Sequence, residues 1–168
     1  ELQTCIDEAG AGDTVTLLED IRAHVTVVSG KDITLDLNGH TLRDNNVSPV
    51  LPVVANYGKL TVINGTMTSA IKAGVINNES TGELYIGNDA RIIATGNRQA
   101  IYNNGGKAEI AGNAYLSAVS TERATVQNLA NGELVISGGT IIATKQEAVK
   151  VESGTLTIGV EDGTANSN

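Results

Sequence analysis

The sequence predicts an all-β chain wound as a right-handed parallel β-helix of about six coils, with a short capping helix at its N-terminal end. A glycine-led phrase returns as GKLTVING, GELYIGND, GKAEIAGN and GELVISGG, and glycines 58, 82, 106, 132 and 154 stand 24, 24, 26 and 22 residues apart. That period belongs to stacked repeats and is too short for a propeller blade of about 40 residues. Apolar residues alternate within each unit, in the pairs Leu60/Val62, Leu84/Ile86, Ala108/Ile110, Leu134/Ile136 and Leu156/Ile158, which describes a strand with one buried face. With no Trp, no Phe and four Tyr, the core must come from Val, Ile, Leu and Ala, residues suited to layers of short strands.

The elements follow in order. In ELQTCIDEAG, residues Leu2, Cys5, Ile6 and Ala9 fall at i, i+3, i+4 and i+7 before the stop at Gly10, so residues 1–10 read as a helical cap with Cys5 as a small buried residue. GDTVTLLEDI supplies a first strand with Val15 and Leu17 inward, and HVTVVSG another with Val25 and Val27 inward. KDITLDLNGHTL fits the repeated frame one coil before Gly58, with Leu35 and Leu37 inward. A second inward column runs Leu42, Met67, Ile92, Leu116 and Ile142, and the stretches VVANY, VINNES, AIYNN, TVQNL and AVKVES close the units with a third strand.

The third strand carries the most specific signal. Asn56, Asn78, Asn103 and Asn128 form one column, between Val27 of an earlier coil and Val151 of the last. Coils stack about 4.8 Å apart, so identical amides bond from coil to coil as a structural ladder. The pairs Asn38-Gly39, Asn64-Gly65, Asn104-Gly105 and Asn131-Gly132 read as tight turns with positive φ. Residues 1–168 thus read as one domain, with coils over 11–158 and a frayed or truncated end at 159–168.

Composition excludes several partners. A formal charge of −8 argues against nucleic acid and polyanions, which need a surplus of Lys and Arg. No apolar run reaches the ~20 residues of a membrane span, and a single cysteine excludes an internal disulfide framework. His24 and His40 lack a third ligand, and neither Asp44 in RDNN nor Glu161 and Asp162 in VEDG has calcium-loop spacing. No metal or cofactor is expected.

The segments LQTCIDEAGAGDTVTLLEDI and ITLDLNGHTL, with the recurrent GxLxIxG, resemble the right-handed β-helix modules of pectin-lyase-like fold found in large surface proteins of Gram-positive bacteria. The resemblance covers residues 1 to about 158. It implies an extracellular module of a longer adhesin-like protein, and because the same fold includes polysaccharide lyases and glycosidases, it keeps an enzyme reading open.

Candidate site residues come from the outward positions. The first strand's outward column reads Asp36, Thr61, Tyr85, Glu109, Val135, and the one before it Thr34, Lys59, Glu83, Lys107, Glu133, whose alternating charges read as surface pairs. Asp36 and Glu109, set two coils apart, would with Arg91 form the catalytic cluster of a lyase or glycosidase. The leading expectation is non-catalytic binding of a glycan or a surface protein through Asp36, Tyr85, Arg91, Glu109 and Tyr115. A structural stalk is the alternative, with end-to-end stacking left open. RDNNVSPVLP, residues 43–52, holds both prolines, and is expected to pack over the N-terminal end of the core, the alternative being a contact loop that exposes Val50 and Leu51.

Overall fold

The computed structural model describes residues 1–45 and 50–159, and shows an all-β parallel solenoid with one short helix. Residues 46–49 of the 43–52 loop, and 160–168 of the expected frayed end, lie outside the described residues. After α1 (Leu2–Glu8), the first coil holds β1 (Asp13–Thr16), β2 (Ile21–Arg22) and β3 (Val25–Val27). The second holds β4 (Asp32–Asp36), β5 (Thr41–Arg43) and β6 (Val54–Asn56), and the third β7 (Lys59–Ile63), β8 (Gly65–Ser69) and β9 (Ile76–Asn78). Next come β10 (Glu83–Ile86), β11 (Ala90–Ala94) and β12 (Ile101–Asn104), then β13 (Lys107–Ile110), β14 (Tyr115–Ala118) and β15 (Val126–Leu129). The last triplet is β16 (Glu133–Ile136), β17 (Thr140–Ala143) and β18 (Val149–Val151), followed by β19 (Thr155–Ile158).

Each strand pairs with its counterpart one coil away, never with its neighbour in sequence. The result is three parallel sheets: A, of seven strands from β1 to β19; B, of six from β2 to β17; and C, of six from β3 to β18. Inward residues stack in columns. Leu35, Val62, Ile86 and Ile110 align on sheet A, Leu42, Met67, Ile92 and Leu116 on B, and Val54, Ile76, Ile101 and Val126 on C. All of these are buried. Burial decreases toward the last described strand, where the inward residues Leu156 and Ile158 are 38% and 74% exposed.

The N-terminal end is closed by α1. Leu2 and Ile6 are buried against the core and Ala9 packs on it. On the same helix Gln3 mimics a missing strand: its Oε1 accepts from Thr26 N at 2.8 Å and its Nε2 donates to Thr26 O at 3.0 Å. The exposed backbone edge of β3 is thereby satisfied, the need that every terminal coil of a solenoid faces. Lys31 secures the helix C-terminus by donating from Nζ to the carbonyls of Asp7 and Ala9, both at 2.8 Å. Cys5 is a correction, since it is exposed. At about 100° per residue, Leu2, Ile6 and Ala9 span a narrow stripe and Cys5 falls to its edge, and a helix of two turns presses only that stripe onto the core.

The asparagine column stands as expected, with Val27 aligned below Asn56 and Val151 above Asn128. All four asparagines are fully buried. Asn56 Nδ2 donates to Asn78 Oδ1 at 2.7 Å, Asn78 Nδ2 to Asn103 Oδ1 at 2.7 Å, and Asn103 Nδ2 to Asn128 Oδ1 at 2.6 Å. The ladder therefore has a direction. Its last donor, Asn128 Nδ2, ends on backbone carbonyls of Gly132 and Ser153, and its first acceptor, Asn56 Oδ1, is buried without a partner among the described residues because Val27 offers no donor.

The ladder also explains three of the recurring glycines. A Cβ on Gly106 would lie 2.5 Å from Asn78 Nδ2 and Glu79 O and 2.6 Å from Gly82 O, and one on Gly132 would lie 2.7 Å from both Asn103 Nδ2 and Asn128 Oδ1. The glycines that open the phrases at 82, 106 and 132 thus leave room for the ladder amides at the corner between sheets C and A, whereas a Cβ on Gly58 would meet the backbone carbonyls of Val28 and Lys31 instead. Their recurrence is a packing requirement. Among the Asn-Gly pairs, Asn38 and Gly39 are both in the left-handed region, whereas in the other three only Asn64, Gly105 and Asn131 are.

Two registers and one loop differ from expectation. Ile33 and Leu35, not Leu35 and Leu37, align with Leu60 and Val62. A two-residue slip preserves the alternation, so the apolar pattern cannot detect it, and Leu37 is buried as well because it turns inward at the corner. In the last coil Ile141 aligns with Leu116, and Ile142 is 43% exposed. The corner from Ile136 to Thr140 is one residue shorter than that from Ile110 to Tyr115, and a one-residue slip exchanges the two faces of the strand. Val50 and Leu51 are exposed rather than folded over the core.

Candidate functional site

The outward face of sheet A forms a shallow trough of about 300 Å³. Two columns build it. Along one rim, Asp32, Lys59, Glu83, Lys107 and Glu133 follow one another strand by strand, and along the floor run Thr34, Thr61, Tyr85, Glu109 and Val135. These positions alternate with the buried residues of the same strands, so the core dictates that they face outward.

The rim is not uniformly paired. Lys59 Nζ lies 3.1 Å from Asp32 Oδ2 and Lys107 Nζ lies 3.8 Å from Glu133 Oε2, each lysine turning away from the centre. Glu83, between them, has no ion pair within 4.0 Å among the described residues. Exposed pairs of this kind contribute at most about 1 kcal/mol each. Their effect is to leave one free carboxylate at the middle of the trough, which Tyr85 also lines. The Tyr85 ring folds back over Gly87, where a Cβ would come within 2.8 Å of Tyr85 Cε1 and 3.1 Å of its hydroxyl. Gly87 therefore permits the pose of Tyr85.

The candidate residues separate into groups. Tyr85 and Glu109 are register neighbours, and Glu109 accepts from Ser137 Oγ at 2.8 Å. Arg91 and Tyr115 are neighbours on sheet B, with the guanidinium 4.2 Å from the ring centroid, a cation–π contact. No hydrogen bond among the described residues joins these two pairs. Asp36 stands apart from both. It aligns with Ile63 rather than Thr61, so Asp32 and Thr34 take the places given above to Thr34 and Asp36 in the two outward columns. Its Oδ1 accepts from Asn38 N at 2.8 Å and Asn64 Nδ2 at 3.2 Å, which makes it a corner residue. Three strand spacings separate β4 from β13, about 14 Å at ~4.8 Å each, so Asp36 and Glu109 do not form the two-coil pair expected of them.

Lys59, Glu83, Lys107 and Glu133 belong to the trough although their alternating signs suggest only surface pairing. The signal for Glu83 was its position between two lysines that each have a further carboxylate beyond. None of the four tyrosines is buried. His24 Nδ1 lies 2.6 Å from Pro52 O and His40 Nδ1 lies 3.7 Å from Asp20 Oδ1, so each histidine ties a loop. Among the described residues no group of three or more His, Cys, Asp or Glu side chains is placed to hold a metal ion, and no helix is long and apolar enough to cross a membrane.

Comparison of the chain with protein-family models, with curated proteins and with solved structures gives no match. The functional reading therefore rests on the chemistry of the trough.

Proposed function

We propose that this chain is a non-catalytic recognition module that binds a carbohydrate through the outer face of sheet A. The observation that carries the proposal is the free carboxylate of Glu83 beside Tyr85 in a concavity flanked by paired charges. An aromatic ring covers the apolar face of a sugar, while Glu83, Glu109 and Thr61 offer acceptors and a hydroxyl for its polar edge. Glu83 makes no ion pair or side-chain hydrogen bond among the described residues, whereas the inward and corner residues are consumed by packing and the amide ladder. A place on the surface of a Gram-positive bacterium, in a longer adhesin-like protein of pectin-lyase-like fold, is proposed on the sequence resemblance alone.

A stalk is the second reading, favoured by the unbroken register of sheet C, which makes a stiff rod. A lyase or glycosidase is disfavoured by the separation of Asp36 from Glu109. The test is a screen of immobilised neutral glycans run beside an assay for new reducing ends and unsaturated products. Saturable binding without product is the expected result. Product formation would replace the proposal by the enzyme reading, and silence in both assays would replace it by the stalk.

A further inference from the structure

Sheet B carries a second feature that the fold does not explain. Arg22 and Arg43 are register partners on β2 and β5, about 4.8 Å apart along the strand-pairing direction, in a chain of net charge −8. Like charges directly opposite each other destabilise a sheet, and no acidic side chain among the described residues lies within 4.0 Å of either guanidinium. Arg91, by comparison, stacks on Tyr115, and Arg98 Nε donates to Lys72 O at 3.0 Å. Arg43 Nε, by contrast, is buried without a hydrogen-bond partner, a state that costs about 1 to 3 kcal/mol for a polar group.

The surroundings are built rather than incidental. Arg22, Arg43, Asp44, Thr68, Ala70 and Ile71 line a pocket of about 330 Å³. Asp44 is 7% exposed and its Oδ2 accepts from Ala70 N at 2.8 Å, which pins the far wall. Arg22 Nη1 donates to Asp44 O at 3.4 Å, and Thr68 follows Arg43 in the same outward column. Asp44 Oδ1 has no hydrogen bond among the described residues.

We propose that the Arg22–Arg43 pocket binds the carboxylate of a hydroxylated organic acid, the group shared by hydroxy acids and acidic sugars. The two guanidiniums line one pocket and offer paired donors to a planar carboxylate. Asp44 Oδ1 and Thr68 Oγ1 accept and donate to an adjacent hydroxyl, which a bare anion cannot use and which offsets the repulsion between Asp44 and the ligand's charge. One site of this kind takes a single carboxylate, in keeping with an overall charge that repels polyanions. It lies on a different sheet from the trough and does not depend on it.

The test is a titration of the ¹⁵N-labelled protein followed through its arginine Nε–Hε signals, with glycolate, glucuronate, sulfate and glucose as separate probes. Saturable shifts of Arg22 and Arg43 with glycolate, glucuronate or both are expected, and which of the two saturates at lower concentration identifies the source. Sulfate should bind about tenfold or more weakly and glucose should leave both signals in place. Arg22→Gln should abolish saturation with unchanged backbone signals from sheet C, and Arg43→Lys should weaken it about tenfold while keeping the charge. Equal response to sulfate would overturn the hydroxy-carboxylate assignment. A linear drift shared by Arg91 and Arg98, or no shift at all, would overturn the site.

Discussion

Asn103→Ala is expected to lower the unfolding free energy by about 3 kcal/mol, read as a drop in the urea midpoint at constant slope. Removing this amide leaves Asn128 Oδ1 buried without its donor and deprives Asn78 Nδ2 of its shortest acceptor, in the middle of the stack. The carbonyls of Gly106 and Glu133 lose a donor as well. Asn56→Ala should cost about 1 kcal/mol. That substitution leaves Asn78 Oδ1 without a donor, but it also removes Asn56 Oδ1, which is already buried and unpartnered. Equal losses at the two positions would show that the ladder has no direction.

Gly106→Ala is expected to cost about 3 kcal/mol as well, by a different route. The added methyl would meet two backbone carbonyls and one amide nitrogen at 2.5 to 2.6 Å, and of these Gly82 O and Asn78 Nδ2 cannot retreat without straining a bond between coils, to Lys107 N and Asn103 Oδ1. Gly30→Ala separates space from conformation, because Gly30 has φ +83 and nothing near its missing Cβ. Its cost should be only the left-handed penalty, about 1 kcal/mol. A Gly106 variant no worse than the Gly30 variant would mean that the recurring glycines do not serve the ladder.

What the sequence shows and what it hides divide along a physical line. The asparagine column is legible because one residue type must recur wherever an amide bonds to its copy in the next coil, and Val27 and Val151 mark its ends. Inward columns are legible because the alternation of Leu60 with Val62 recurs at Leu84 and Ile86. Alternation has period two, however, so it cannot choose between Leu35/Leu37 and Ile33/Leu35, and that error carried Asp36 into a column where it does not belong. The shortened corner before Thr140 misplaced Ile142 for a related reason: corner lengths vary from coil to coil, and only strand interiors are periodic. Glu83 and the Arg22–Arg43 pair were hidden because each gains meaning from what its neighbours do in space. The lysines beside Glu83 turn outward to Asp32 and Glu133, and Arg22 meets Arg43 only once the first two coils are in register.

The division of labour between a stabilising interior and a recognising outer face is tested most directly by one paired measurement. Affinity for a glycan identified by screening and the urea midpoint would be determined together for the double variant Glu83→Ala, Tyr85→Ala. Both side chains leave the outer face of β10, which buries Leu84 and Ile86 on its other side. Affinity should fall by about 1 to 3 kcal/mol, roughly 5- to 150-fold, while the midpoint stays within error of the parent. An affinity that does not change, or a midpoint that falls in step with affinity, would contradict the assignment of recognition to this face.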